Sequence, residues 1–220
     1  MSRTELIPNE SALISEELKV QITTLLSKMT HKVTLKAILD FENEKSLEMG
    51  AFLKTVANCS ALLEVEFYEK GENLELDKEL HAEFLPAVGL YNEVYKGACF
   101  HGTPGGKEIN SFLSAIGTLG GMGTPLDKRL LKNIAYIKKD LNIKIFVSLA
   151  CHHCPHVVAA CQKIAFENEH VEAEMYDANL YPELVEKYKI ERVPMMVVND
   201  STVIMGQKPI EDIVNRLMNL

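Results

Sequence analysis

Two cysteines three residues apart, Cys151 and Cys154, enclose His152 and His153 and are followed by Pro155 and His156. Thiols at positions i and i+3 around a helix start fall within the roughly 4.4–6.8 Å of Cα separation that a disulfide requires, so such a pair opens and closes with little backbone movement. Two sulfurs and two imidazoles are also a zinc-type donor set. The flanking sequence favours redox chemistry. An apolar strand over 144–149 leads into the motif, and a helix with the buried stripe Val157, Ala160, Cys161 and Ile164 leaves it. Cys151, at the strand-to-helix junction, meets unpaired backbone N–H groups and the positive end of the helix dipole, both of which favour thiolate. It is the expected attacking sulfur, and Cys154, one turn inside the helix, is the expected resolving sulfur. His152 and His153 add potential positive charge beside the thiolate. They point to different faces of one helical turn and no second CxxC completes a structural site, so no metal ligand is assigned. The competing reading is a binding module in which the CHHC segment holds zinc or a partner protein and the thiols never cycle.

The elements that must position this pair occur twice. Ser15 is placed to cap a helix carrying Leu18, Ile22, Leu25, Leu26 and Met29 at helical spacing. A strand over 33–39, a helix over 47–56 and a strand in which Leu63, Val65 and Phe67 alternate come next. After a charged loop containing Gly71, strands over 85–91 and 94–100 flank a turn at Asn92, and a helix runs from about Glu108 to Leu119. Gly120 to Gly123 break the pattern. Thr124-Pro125-Leu126-Asp127 then opens a helix reaching Asp140, with Thr124 as cap and Pro at the first position.

The order repeats from there, through the strand at 144–149, the CHHC helix, a strand alternating at Val171, Ala173 and Met175, and a helix over 183–188. Val193-Pro194 leads a strand, Asn199-Asp200 form a turn, and a strand over 202–205 and a helix over 210–218 close the chain. Pro86 and Pro194 lie 108 positions apart, and Ser15 and Thr124 lie 109 apart. Two copies of one small fold account for that regularity. The expected division is residues 1–119, a linker over 120–125, and residues 126–220. In each copy a parallel strand-helix-strand unit precedes a proline-led strand, its antiparallel partner and a closing helix, which is a thioredoxin-like arrangement. The expected fold class is therefore α/β, two fused thioredoxin-like folds with mixed sheets flanked by helices. Only the second copy carries CxxC, because the first has Asp40-Phe41-Glu42-Asn43-Glu44 at that place.

The chain has 220 residues, five cysteines and a formal net charge of −8. That charge disfavours nucleic acid and anionic membranes, both of which attract clustered Lys and Arg. No apolar run approaches the roughly 20 residues of a membrane helix and no signal-like segment follows Met1, so a cytoplasmic protein is expected. Cys59, Cys99 and Cys161 read as packed side chains. The glycine-rich stretches around Gly105 and Gly120 lack phosphate-binding spacing and read as turns.

Ser148-Leu149-Ala150-Cys151-His152-His153-Cys154-Pro155 with Val157-Val158, then Val193-Pro194, and in the first half Pro104-Gly105-Gly106-Lys107-Glu108, carry a family resemblance. Over nearly its full length the chain resembles the N-terminal domain of the flavoprotein component of bacterial alkyl hydroperoxide reductase. The resemblance implies a dithiol–disulfide oxidoreductase that takes electrons from a flavoprotein NAD(P)H reductase and passes them to a peroxiredoxin. Cys151 and Cys154 match the family's redox pair, and Glu108 stands where the family has an acidic residue near the dithiol. A cis Pro194 beside the dithiol is implied, which would leave the Val193 backbone free to pair with an extended substrate. Val193 is assigned to substrate binding on that ground, and His152 and His153, between the two cysteines, are assigned to it by their position. No bound cofactor is expected beyond the redox-active disulfide. The sequence departs from the family in its His-His pair and in lacking a flavin or nicotinamide fingerprint before Leu220. The donor is expected on another polypeptide or on the rest of a larger flavoprotein.

Overall fold

The computed structural model describes residues 3–220; Met1 and Ser2 of the expected first fold lie outside them. In the first half the order is Glu16–Leu26 (α1), Val33–Leu39 (β1), Glu44–Ala57 (α2), Leu63–Glu69 (β2), Leu74–Glu79 (α3), Ala87–Asn92 (β3), Val94–His101 (β4) and Ile109–Gly117 (α4). The second half runs Lys128–Ala135 (α5), Leu141–Val147 (β5), Cys154–Glu167 (α6), Val171–Asp177 (β6), Pro182–Tyr188 (α7), Met195–Val198 (β7), Thr202–Met205 (β8) and Ile210–Leu217 (α8). The strands of the first half start at 33, 63, 87 and 94 and those of the second at 141, 171, 195 and 202, a constant offset of 108. β1 and β5 even share one order of buried and half-buried positions, with three buried residues at the end that leads to the following helix. The fold is α/β and thioredoxin-like in both halves.

The strand order is β2-β1-β3-β4-β6-β5-β7-β8, so one eight-stranded sheet crosses the molecule. Each half pairs its first two strands in parallel and its last two antiparallel. The halves join where β4 runs parallel to β6, with Ala98 to His101 opposite Ala173 to Tyr176. Gly97, just before this join, has φ +69° and a Cβ there would stand 2.5 Å from the Val171 carbonyl oxygen, so the close strand approach requires glycine. One apolar cluster runs from Ile7 to Leu217 through both halves, and α4 packs on α6 across it. Phe112 of α4 meets Phe52 and Phe100 at centroid distances of 5.8 and 5.2 Å. On another part of the seam Phe84 of the first half stacks edge-on against Tyr176 and Tyr181 of the second.

Local chemistry explains most helix starts. The side chains of Ser15, Asn43 and Asp127 accept backbone N–H bonds at the N-termini of α1, α2 and α5. The cap of α5 is thus Asp127 and not Thr124, and the helix stops at Ala135, short of Asp140, so that Ile137 can turn into the core. The charged loop expected after β2 contains a short helix, α3, capped by Asn73. The glycine-rich stretch after α4 begins as a π-helical turn, Thr118–Met122, tied to the first half where Thr30 N and His31 N donate to the Gly120 carbonyl. Among the described residues, no helix is long and apolar enough to cross a membrane.

Candidate functional site

The loop between β5 and α6 places the two cysteines. Cys151 N donates to Ser148 O at 2.9 Å, which turns the chain out of the strand. Cys154 is the first residue of α6, not one turn inside it, and Pro155 occupies the first turn, where a missing N–H costs nothing. Cys151 and Cys154 form a disulfide with Cα atoms 5.6 Å apart. Cys151 is half-buried and Cys154 fully buried, the asymmetry expected of an attacking and a resolving sulfur. The Cys154 backbone N–H donates to the Cys151 sulfur at 3.2 Å, so the helix N-terminus is aimed at that atom.

His152 and His153 are both exposed. His153 Nδ1 lies 2.7 Å from Gln207 Oε1, in the segment between β8 and α8, so its ring is held to the side. The His and Cys atoms of CHHCPH do not converge: among the described residues the grouping of three such ligand atoms within 4.8 Å is His81, Glu172 and Glu174, elsewhere in the fold.

Pro194 is buried and follows a cis peptide bond, as does Pro86 at the equivalent place in the first half. β5 and β7 pair antiparallel with Phe146 opposite Met195, so Pro194 continues the register opposite Val147, at the strand end that leads to Cys151. Gly206 N donates to the Pro194 carbonyl at 2.9 Å, while Val193 makes no backbone hydrogen bond among the described residues. Its peptide groups are available to an extended chain.

Glu108 is fully buried and ends a 3-10 turn, Gly106–Glu108, that leads into α4. It is therefore not a solvated helix-start carboxylate. Lys107 N donates to the Leu149 carbonyl at 2.8 Å, and this fastens the turn to the loop before Cys151. Gly106 has φ +55°, and a Cβ there would stand 2.5 Å from that same carbonyl oxygen, so the docking needs glycine. Ser111 Oγ donates to Glu108 Oε2, whereas Oε1 is buried with no partner among the described residues. Burial pushes the Glu108 carboxyl up to about 7, the Ser111 hydroxyl opposes this, and Asp177 adds to it.

A carboxyl whose folded value is raised costs stability as pH rises from its unfolded value of 4.5 through about 7. Glu108→Gln is expected to raise stability at pH 8 by up to about 3 kcal/mol, with little change at pH 4.5. Urea unfolding at both pH values measures this, and an equal effect at both would refute the buried-charge account.

Two parts of this region carry no sequence signal: Gln207, which holds His153, and Asp177, which raises Glu108. The β6 run Val171-Glu172-Ala173-Glu174-Met175 alternates as a one-sided strand would, yet Glu174 is fully buried. An alternating strand hides its polar face when it sits centrally in a sheet covered on both sides.

Comparison with known proteins agrees with this geometry. The family model described as a thioredoxin domain matches residues 141–219. The AhpF component of alkyl hydroperoxide reductase from Pseudomonas putida is 25% identical over 205 residues, and that from Escherichia coli (strain K12) is 26% identical over 205 residues. Each match covers 93% of this chain and 37% of the relative, so the chain spans little more than a third of these curated relatives. Among solved structures, the NTD_N/C domain of alkylhydroperoxide reductase AhpF from Enterococcus faecalis (V583) is 40% identical, with a TM-score of 0.88 over 93% of this chain and 99% of that one. A protein disulfide oxidoreductase from Aeropyrum pernix shares the fold at a TM-score of 0.85 and 21% identity, over 93% of this chain and 92% of that one. With a half-buried sulfur bonded to a buried one at a helix N-terminus, the chain belongs to the thioredoxin-fold, thiol–disulfide oxidoreductase family of the N-terminal domain of alkyl hydroperoxide reductase AhpF.

Proposed function

We propose that the chain is a two-electron shuttle that takes reducing equivalents from a flavoprotein disulfide reductase and delivers them to a peroxiredoxin or similar disulfide acceptor. One observation carries this reading: the helix-start N–H of Cys154 points at the sulfur of a half-buried Cys151, whose disulfide partner is fully buried. In the reduced protein the Cys151 thiolate attacks one sulfur of the acceptor disulfide, forming a mixed disulfide and releasing the other acceptor sulfur as a thiolate. The Cys154 thiolate then attacks the Cys151 sulfur, the second acceptor thiolate leaves, and the Cys151–Cys154 disulfide forms. Two electrons have moved to the acceptor, and the donor's dithiol restores the pair by the same two exchanges in reverse.

Val193 is assigned to backbone pairing with the acceptor segment, with Pro194 setting the strand end beside the dithiol. His152 and His153 present polar, exposed side chains to the approaching partner. Glu108 is assigned as the group that exchanges a proton near the dithiol, which its raised pKa of about 7 supports. The division of labour follows the repeat: residues 126–220 carry the chemistry, residues 1–119 brace it through the Gly106–Glu108 turn, and 120–125 connect them. The AhpF relatives, whose name couples them to hydroperoxide reduction, support a peroxiredoxin as acceptor.

Alkylation of the reduced protein near pH 7 tests the roles of the sulfurs. Cys151 is expected to react well before Cys154, because only Cys151 is both accessible and beside the helix end. Peptide mapping after brief exposure reads the order, and equal rates would sink the assignment. Glu108→Gln is expected to lower the Cys151 pKa, since a carboxylate nearby disfavours thiolate; an unchanged thiol titration would remove Glu108 from the mechanism.

A further inference from the structure

A second cluster of ligating side chains lies on the seam between the halves. His81 follows α3 in a left-handed conformation, with φ 46°. Glu172 and Glu174 sit two positions apart on β6 and so face one side. His81 Nε2 lies 3.4 Å from Glu172 Oε2 and 3.0 Å from Glu174 Oε1, and one ligand atom from each residue falls within 4.8 Å of the others. Atoms held roughly 2.0–2.2 Å from a tetrahedral ion stand about 3.3 Å from each other, so this spacing needs little adjustment to hold one.

His101 supplies an independent observation. It is fully buried, and its Nε2 has no hydrogen-bond partner among the described residues. Nδ1 lies 2.7 Å from the Phe84 carbonyl oxygen, to which it donates. In a neutral ring that leaves Nε2 as a lone-pair nitrogen. This nitrogen faces the second oxygen of the same carboxylate, Glu174 Oε2, across 3.7 Å. An acceptor aimed at an acceptor across that gap calls for a cation or a proton.

Asn142 acts as an outer support, because its Nδ2 donates to Glu172 Oε2 at 3.2 Å and to Glu174 Oε1, while Lys144 Nζ donates to its oxygen at 2.8 Å. Glu172 also lines a cleft of about 510 Å³.

We propose that His81, Glu172 and Glu174, with His101 behind the Glu174 carboxylate, form a site for a divalent transition-metal ion of the Zn²⁺ type that clips the two halves together. Imidazole beside carboxylate selects such an ion over Mg²⁺ or Ca²⁺, which prefer all-oxygen sites.

The test uses the oxidised full chain, in which Cys151 and Cys154 are bonded to each other and are poor ligands. Calorimetric titration with ZnCl₂ at pH 7 is expected to give one ion bound per chain. The thermal midpoint is expected to rise with Zn²⁺. Co²⁺ is expected to give visible d–d bands without a thiolate charge-transfer band. Glu172→Gln, at a partly exposed position, and His81→Gln are each expected to weaken Zn²⁺ binding about tenfold or more. No binding up to about 100 times the protein concentration, or unchanged affinity in Glu172→Gln, overturns the proposal; a thiolate band on Co²⁺ places the ion at the cysteines and overturns it equally.

Discussion

Replacing Cys151 by Ala is expected to reduce electron transfer to the acceptor to background. In an assay that combines this chain with a thioredoxin-reductase-like flavoprotein, NAD(P)H, a peroxiredoxin and peroxide, steady NAD(P)H oxidation should disappear. The reason is stoichiometric as well as geometric: without the Cys151 sulfur no mixed disulfide forms, and Cys154, fully buried, cannot reach a partner. Cys154→Ser should differ in kind. It keeps the attacking sulfur at the helix end and is expected to accumulate a covalent complex with the acceptor, seen as a reductant-sensitive band. Cys59→Ala and Cys99→Ala should leave turnover intact, since both thiols are buried, and burial pushes the Cys99 thiol well above its usual range. Full turnover by Cys151→Ala, or trapping through Cys151→Ser in place of Cys154→Ser, would reject the proposed route.

The largest structural effect is expected at Glu174. Its carboxylate accepts from Tyr176 Oη at 2.6 Å and from Asn142 Nδ2, and faces His81 Nε2 at 3.0 Å, all at full burial of the carboxylate. Burial pushes this carboxyl up, but the His101 and His81 rings, when both carry a proton toward it, outweigh burial and hold it well below the usual range. Glu174→Ala leaves the buried Tyr176 hydroxyl without its acceptor, strips Asn142 and His81 of one of their two carboxylate partners, and is expected to cost about 3–5 kcal/mol in urea unfolding. The pH profile follows from the two shifts. The Glu174 contribution is present above its unfolded value of 4.5 and fades as pH falls toward its lowered folded value. The His81 contribution is complete below its unfolded value of 6.5 and is lost as pH rises through about 10. Glu174→Ala should remove the acid limb and reduce the alkaline one, which Glu172 also supports. A loss under about 1 kcal/mol, or limbs unchanged in the variant, would show that the seam draws its stability from the aromatic contacts around Phe84 instead.

Much of the fold is legible along the chain because its signals are local. The alternation at Leu63, Val65 and Phe67 marks a strand whose side chains point to opposite faces, and the helix stripe at Val157, Cys161 and Ile164 is a spacing that only a helix brings to one side. Ser15 is readable as a cap because capping links a residue to the N–H three positions on. Thr124 misleads because two cap-forming residues stand within four positions, and the core contact of Leu130 and Ile134 chooses Asp127. The short α3 hides in a charged stretch, since six residues with one buried side chain leave almost no periodic signal.

Order along the chain was enough for the repeat, the fold of each half and the cysteine pair, because each rests on spacings of two to four residues or on matching signals 108 and 109 positions apart. Everything that depends on contact between distant segments had to wait for the packed molecule. Packing joined the two repeats into one sheet through β4 and β6, set the Gly106–Glu108 turn against Leu149, and buried Glu108 where a helix-start glutamate would otherwise stay in water. It also gathered His81, His101, Asn142, Glu172 and Glu174 from four segments onto one seam. The physical reason is range: hydrogen-bonding geometry and side-chain direction act within a few residues and leave their mark on order, whereas burial and charge pairing act through space, and only the packed chain says which residues share that space.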